Sequence, residues 1–448
     1  MAKVRLTFDS WKEGNVAPSS FDILVLPAKI GPKLEPVSPA LLATLPHPER
    51  SANICTVTYS PDGQRLFTAG YPSGVLQFWN VETRQEQLRI STPRGYRGSW
   101  NYALLTSDWK MLYVPTEDRK VITTEQNGQK LYRFEYTGVI RRWDLTTRSE
   151  LDPLVPPQGY GNQFAMFTPD QQFLLSIERM NRTSTDPDKA VTVLWNLKTG
   201  QRQEWADGFA IPNLSADGRR AVIADTNFET KSTVLKITTF PERKVLMEKK
   251  YDAVDGQLLK VVGFSPDGKI LVCELGAKKG AKPTILFLDS ETLAEQARWT
   301  GATHDELNGW VGGRFTPDGT RFLVTDGQGV LHVWNVAAKR VERTVAVGEQ
   351  FISQSAISPS GRWLALAWMP KLDPSVADSS EPDPEDLPQP RITLVNLDDA
   401  KAKPITLIAP QGYVGSLTFR PDGKQLAFGS AGGVHLFDLT KLGLDPVK

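Results

Sequence analysis

Histidine, cysteine and clustered carboxylates are the side chains through which this chain would do chemistry, and they are scarce. Only four histidines occur, His47, His304, His332 and His435. His332 and His435 sit in alternating apolar runs (Leu331-His332-Val333-Trp334 and Val434-His435-Leu436-Phe437), the pattern of a strand whose histidine packs inward or makes an internal hydrogen bond. His304 is followed by Asp305 and Glu306, but one histidine beside two acids, without a placed nucleophile, is a weak constellation. Cys55 and Cys273 each lie in an apolar run and read as buried thiols. No CxxC pair offers a start for zinc, and no metal or cofactor is expected. From Asp373 to Pro388 the chain holds six acids and no base. Prolines and the missing central glycine separate this run from a calcium-binding EF-hand loop, so it reads as a solvated acidic loop. No GxSxG elbow, HExxH helix or Walker loop is present. Asn181-Arg182-Thr183 is a glycosylation acceptor only if the protein reaches a glycosylating compartment. The expectation is a protein that is not an enzyme.

A different chemistry recurs. Three segments share the pattern Pro-x-Gly-Tyr: Pro93 to Tyr96, Pro157 to Tyr160 and Pro410 to Tyr413. Trp100 follows the first copy, and Trp310 occupies a comparable position further on. Aromatic rings with a polar tip suit contact with a protein, a peptide or a sugar when a rigid frame carries them. Tyr96, Trp100, Tyr160, Trp310 and Tyr413 are therefore the candidate partner-binding residues. The competing reading is that each tyrosine plugs a joint between neighbouring units.

The frame is a repeat. Eight times an apolar run meets a short polar turn and a second apolar run follows; Ser60-Pro61-Asp62-Gly63 and Ser265-Pro266-Asp267-Gly268 are the clearest turns. Proline presets φ, the acid bonds back into the turn and glycine accepts positive φ, so each group reads as a tight hairpin. The turn positions Asp62, Asp108, Asp170, Asp217, Asp267, Asp318, Ser360 and Asp422 stand 42 to 62 residues apart. After each turn an alternating run ends in pairs such as Trp79-Asn80, Trp143-Asp144, Trp195-Asn196 and Trp334-Asn335, with Thr238-Thr239 as the weakest. Four short strands per unit follow from this pattern.

Ser/Thr-Pro-Asp-Gly, an alternating strand, then Trp-Asn or Trp-Asp, in register eight times between residues 41 and 440, resembles the WD40 repeat family, especially its bacterial members. The resemblance implies an all-β closed β-propeller of four-stranded antiparallel blades. Eight blades are favoured over seven, because units two and four match poorly and either could merge with a neighbour. The chain departs from the family in lacking the Gly-His dipeptide and most of the Asp-His-Ser/Thr-Trp bonding set. The last unit lacks an outer strand, which residues 41 to 45 could supply by pairing with 433 to 438, a velcro closure. Residues 1–40 then form an arm on the outside, and residues 41–448 a single propeller.

Between turn acid and Trp-Asp position, units two, three and seven carry insertions, Glu117 to Thr137, Arg179 to Lys189 and Pro370 to Pro390. In WD40 geometry these lie on the face that also holds the links between blades. The expected role is a non-catalytic platform binding a protein or peptide through that face; the alternative is a propeller enzyme or a small-ligand or glycan binder at the channel mouth. With 52 basic and 51 acidic residues the net charge is +1, which argues against nucleic acid. No apolar run is long enough to span a membrane and the start lacks a secretory core, so neither anchor nor leader is expected within the chain, the compartment stays undetermined, and a monomer is expected.

Overall fold

The polar turns fold as their residue types require. In seven of them the first side chain bonds the third: Ser60 Oγ lies 2.5 Å from Asp62 Oδ1, Thr168 Oγ1 2.6 Å from Asp170 Oδ1, and Ser358 Oγ 3.1 Å from Ser360 Oγ. The acid then accepts the backbone N–H two residues on, as from Gln64 to Asp62. The fourth turn residue adopts a left-handed φ in all eight cases, including Trp109 (59°) and Gln171 (52°), where glycine is missing.

In this computed structural model the described residues are 2–8, 19–25, 34–50, 52–71, 73–92, 103–116, 119–126, 129–183, 189–208, 211–253, 258–275, 284–301, 312–326, 328–348, 352–369 and 387–444. They form eight four-stranded antiparallel sheets, a three-stranded sheet and one two-stranded hairpin. Strands are lettered a to d in spatial order. Sheet 1 holds Asn53–Tyr59, Arg65–Tyr71, Val75–Asn80 and Glu86–Ser91. Sheet 2 holds Leu104–Leu105, Met111–Pro115, Ile140–Asp144 and Ser149–Leu154. Sheet 3 is Tyr160–Phe167, Phe173–Met180, Ala190–Asn196 and Arg202–Asp207. Sheet 4 is Asn213–Leu214, Arg220–Asn227, Ser232–Thr239 and Val245–Asp252. Sheets 5, 6 and 7 start at Leu259, Gly312 and Ile352 and end at Thr300, Ala346 and Ile408.

Sheet 8 joins the two ends of the chain. Its strands a to c are Ser416–Phe419, Gln425–Ser430 and Gly433–Asp438, and its strand d is Leu41–Pro46. Leu41 pairs with Phe437 and Pro46 with Gly433. The residues just before this strand run along sheet 7, where Glu35 pairs with Arg391 at 2.6 Å and bonds Gln389. Farther upstream Ala2–Phe8 and Ser19–Val25 pair with each other.

The alternating strands put apolar side chains on both faces of each sheet, and neighbouring sheets bury them against one another. Eight apolar clusters result, each shared by two sheets. Phe67, Phe78 and Trp143 join sheets 1 and 2, and Leu175, Leu194 and Phe240 join sheets 3 and 4. Leu45, Ile54, Leu66 and Leu436 join sheet 8 to sheet 1. At roughly 1.5–3 kcal/mol for each fully buried large side chain, these joints dominate the stability of the fold. Arg420 Nε also donates to the Gly63 carbonyl at 3.1 Å, linking the turns of sheets 8 and 1.

Of the Asp-His-Ser/Thr-Trp bonding set of WD40 repeats the chain holds fragments. Sheet 1 keeps Trp79 Nε1 donating to Thr68 Oγ1 (3.3 Å), with His47 against Ser73 (3.1 Å), and sheet 3 keeps Trp195 Nε1 donating to Ser176 Oγ (3.1 Å). Sheets 2 and 4, whose sequence matches are poor, are complete four-stranded sheets. Among the described residues no helix is long and apolar enough to cross a membrane.

Candidate functional site

Antiparallel order within each sheet places the a–b and c–d turns at one end and the b–c turns and links at the other. Of the candidate tyrosines, Tyr160 and Tyr413 belong to the link end. Tyr160 opens strand a of sheet 3, pairs with Met180 and packs on the cluster between sheets 2 and 3 that contains Tyr113, Ile140 and Leu174. It remains half-buried. Tyr413 is half-buried too, and burial raises its phenol pKa. The link beside it is closely fitted: Gly412 has φ 144° and faces Ser430, and a side chain at Gly415 would strike the Ile54 carbonyl oxygen. Tyr96, Trp100 and Trp310 lie outside the described residues, as do His304 and the acidic run through Asp386.

The titratable groups are occupied structurally. His332 Nε2 lies 3.0 Å from Asp326 Oδ2, inside sheet 6. Burial pushes the Asp326 carboxyl up, but bonds from His332 and from the Val330 and Gln328 N–H groups outweigh it, leaving that carboxyl below its usual range. His435 Nδ1 faces Thr44 Oγ1 at 3.0 Å, and burial pushes its pKa down to about 4. Cys55 and Cys273 are free thiols in sheets 1 and 5; burial raises Cys55 to about 11 and Cys273 further. Such thiols are poor nucleophiles. Among the described residues no group of three His, Cys, Asp or Glu side chains is placed to hold a metal. Two buried polar side chains near Tyr160 and Tyr413 have no bond: neither side-chain amide atom of Asn162, which is 1% exposed, has a partner, nor has Ser430 Oγ against Gly412.

The expected insertions of sheets 2 and 3 do lie between strands b and c, and they meet. The first forms a hairpin, Arg119–Gln126 with Gln129–Tyr136, and Arg182–Thr183 from the second adds a third strand to it. Arg182 lies over the Phe134 ring at 4.8 Å and Arg179 over Tyr136 at 5.9 Å. Asn181, the glycosylation acceptor by sequence, accepts the Tyr136 backbone N–H at 2.6 Å. Val121 and Tyr132 stand 42% and 41% exposed on this ribbon. Sheet 4 also extends, with Phe228 at its b–c turn 79% exposed. Neither exposed patch figures among the sequence candidates. For the ribbon a signal was available: Asn127-Gly128 between alternating runs is the hairpin dipeptide.

Comparison with known proteins bears on the fold. The WD40 family model (WD domain, G-beta repeat) matches residues 40–80, which carry the Thr68–Trp79 and His47–Ser73 pairs. No curated protein matches the chain. The crystal structure of the C-terminal WD40 domain of Sif2 is similar at TM-score 0.55 and 15% identity, covering 89% of this chain and 97% of that one. Kuenenia stuttgartiensis hydrazine synthase aligns at TM-score 0.44 and 12% identity, over 86% of this chain and 95% of that one. WD40 propellers generally mediate protein–protein interaction. Repeated four-stranded sheets and the likeness to a WD40 domain over most of its length give this chain a fold of WD40 propeller type, and one of its repeats, residues 40–80, matches the WD40 family model.

Proposed function

We propose that the chain is an eight-bladed ring, residues 41–448, closed by Leu41–Pro46, with residues 1–40 as an arm, and that it serves as a non-catalytic platform for a protein or peptide partner. Eight sheets with eight shared cores, the last joining sheet 8 to sheet 1, support the ring. The link end is the binding face, with Tyr413 and Tyr160 on its inner part and the added ribbon on its rim. The observation that carries this reading is the ribbon itself: two insertions from neighbouring sheets build an ordered surface outside the frame and leave Val121 and Tyr132 open to solvent.

A photo-crosslinking amino acid placed at Tyr132, at Tyr413 and, as a control, at Leu246 on the outer strand of sheet 4 tests it in native extract. Discrete protein adducts from 132 and 413, absent from 246, are expected. The same adducts from all three positions, or none from 132 and 413, would overturn the reading.

A further inference from the structure

We infer that the Arg119–Gln126 strand is a docking edge, which an acidic peptide joins in extended form as a fourth strand of the ribbon. This rests on the reading of the link end as a protein-binding face and names its chemistry. In the ribbon Arg119–Gln126 lies outermost, pairing with Gln129–Tyr136 on one side only among the described residues. A strand so placed offers every second N–H and C=O to an incoming chain.

Edges of this kind are hazards, and the rest of the molecule shows how it blunts them. The outer strands of sheets 1 to 6 each carry a register shift against strand c, and so does Leu41–Pro46 in sheet 8. The outer strand of sheet 7 has no shift but only four residues, Ile405–Ile408. The ribbon edge has neither protection: its eight residues pair in unbroken register from Arg119↔Tyr136 to Gln126↔Gln129. It contains no proline, and Val121-Ile122-Thr123-Thr124 at its centre are all β-branched, the residues that most favour pairing. Among the described outer strands of the eight four-stranded sheets seven are bulged and one is cut short, whereas the ribbon edge, like the Ala2–Phe8 hairpin, is long and unshifted, and such an edge is open to pairing.

Charge selects the partner. The hairpin carries Arg119, Lys120, Lys130 and Arg133 against Glu125 and Glu135, and Arg179 and Arg182 add two further positive charges beside it. The register puts Val121 and Thr123 on the same face as Phe134 and Tyr132, so apolar side chains at alternate positions of the peptide would cover Val121 while acidic ones meet the basic side chains. An extended acidic peptide satisfies both the edge and the charge; a single-stranded nucleic acid satisfies only the charge.

The probe is a synthetic peptide of five Glu-Val repeats with blocked ends, added to the full chain and followed by fluorescence anisotropy and by amide hydrogen exchange. Saturable binding is expected, with protection of amides within 119–126. Changing Lys120 and Arg133 together to Glu should weaken binding by about tenfold or more while leaving thermal unfolding in place. Ile122→Pro and Thr123→Pro, tested separately, should lose it at whichever position turns its N–H outward. Equal binding of a Lys-Val peptide, tighter binding of a ten-nucleotide oligothymidylate, self-association through the edge, or no protection of 119–126 would overturn the inference. Crosslinks from position 132 that persist without peptide protection would leave the platform standing and remove only this mode of docking.

Discussion

Acid should loosen this protein through one histidine. His435 lies in strand c of sheet 8, beside Leu41–Pro46, with its Nδ1 on Thr44 and its Nε2 buried without a bonding partner. Burial alone lowers its pKa, to about 4, with no charged neighbour contributing. In the unfolded chain the ring titrates near its ordinary value of about 6.5. The folded state therefore binds the proton more weakly, and the stability contributed is present in full above pH 6.5 and lost as pH falls from 6.5 toward 4. A depression of about 2.5 pH units corresponds to about 3.4 kcal/mol when fully expressed, of which about 2 kcal/mol is lost between pH 7.5 and pH 5. The assay is guanidinium unfolding at those two pH values for the wild type and for His435→Gln, which keeps a polar group beside Thr44 but cannot be protonated there. His47, whose pKa burial also lowers, and the turn carboxylates Asp62, Asp108, Asp217, Asp267 and Asp318, whose bonds lower theirs, contribute equally to both proteins and cancel. The wild type should lose about 2 kcal/mol more than the variant. Equal losses would refute the reasoning.

Two further perturbations test the frame. Glu178, fully buried in strand b of sheet 3, takes Arg202 at 2.7 Å, and burial holds its pKa up despite that partner. Arg202→Met should cost about 3–5 kcal/mol in denaturant unfolding, and adding Glu178→Gln should restore much of it; a single variant as stable as the wild type would contradict the pairing. Gly415→Ala would drive a Cβ against the Ile54 carbonyl between sheets 8 and 1, so a loss of about 1–3 kcal/mol is expected, where an unchanged melting temperature would count against that close approach.

The turns were the legible part, because Ser60-Pro61-Asp62-Gly63 carries its conformation in four adjacent residues. Trp109 and Gln171 hide the same turn: their left-handed φ is imposed by the strands on either side, and Trp109 is held by Arg65 over its ring at 5.0 Å. Sheet 4 matched poorly for a related reason. Thr238 stands where sheets 1, 2, 3 and 6 have Trp, and Phe240, two residues on, fills the joint with Trp205 instead. The pairing of Leu41–Pro46 with Gly433–Asp438 could be argued in advance, since an unfinished last unit needs a strand. The ribbon could not be foreseen as one object. Its hairpin is local, but the contact of Phe134 with Arg182 joins two insertions that have no shared sequence pattern. The five aromatic candidates were found by repetition, which does not separate a ring that plugs a joint, as Tyr160 does in part, from one that faces outward.

Because Leu41 pairs with Phe437, the strand that completes sheet 8 leaves the ribosome before any strand of sheets 1 to 7, while its neighbour leaves after all of them. During synthesis that early strand has no edge to join, and Leu45, fully enclosed in the finished molecule, waits in water. Sheets 1 to 7 can assemble in order as they emerge, but the joint holding Leu45, Ile54 and Leu436 must wait until Gly433–Asp438 has been made. A chain cut short before residue 433 would leave the sheet 1 side of that joint, Ile54, Leu66 and Trp79, without its cover.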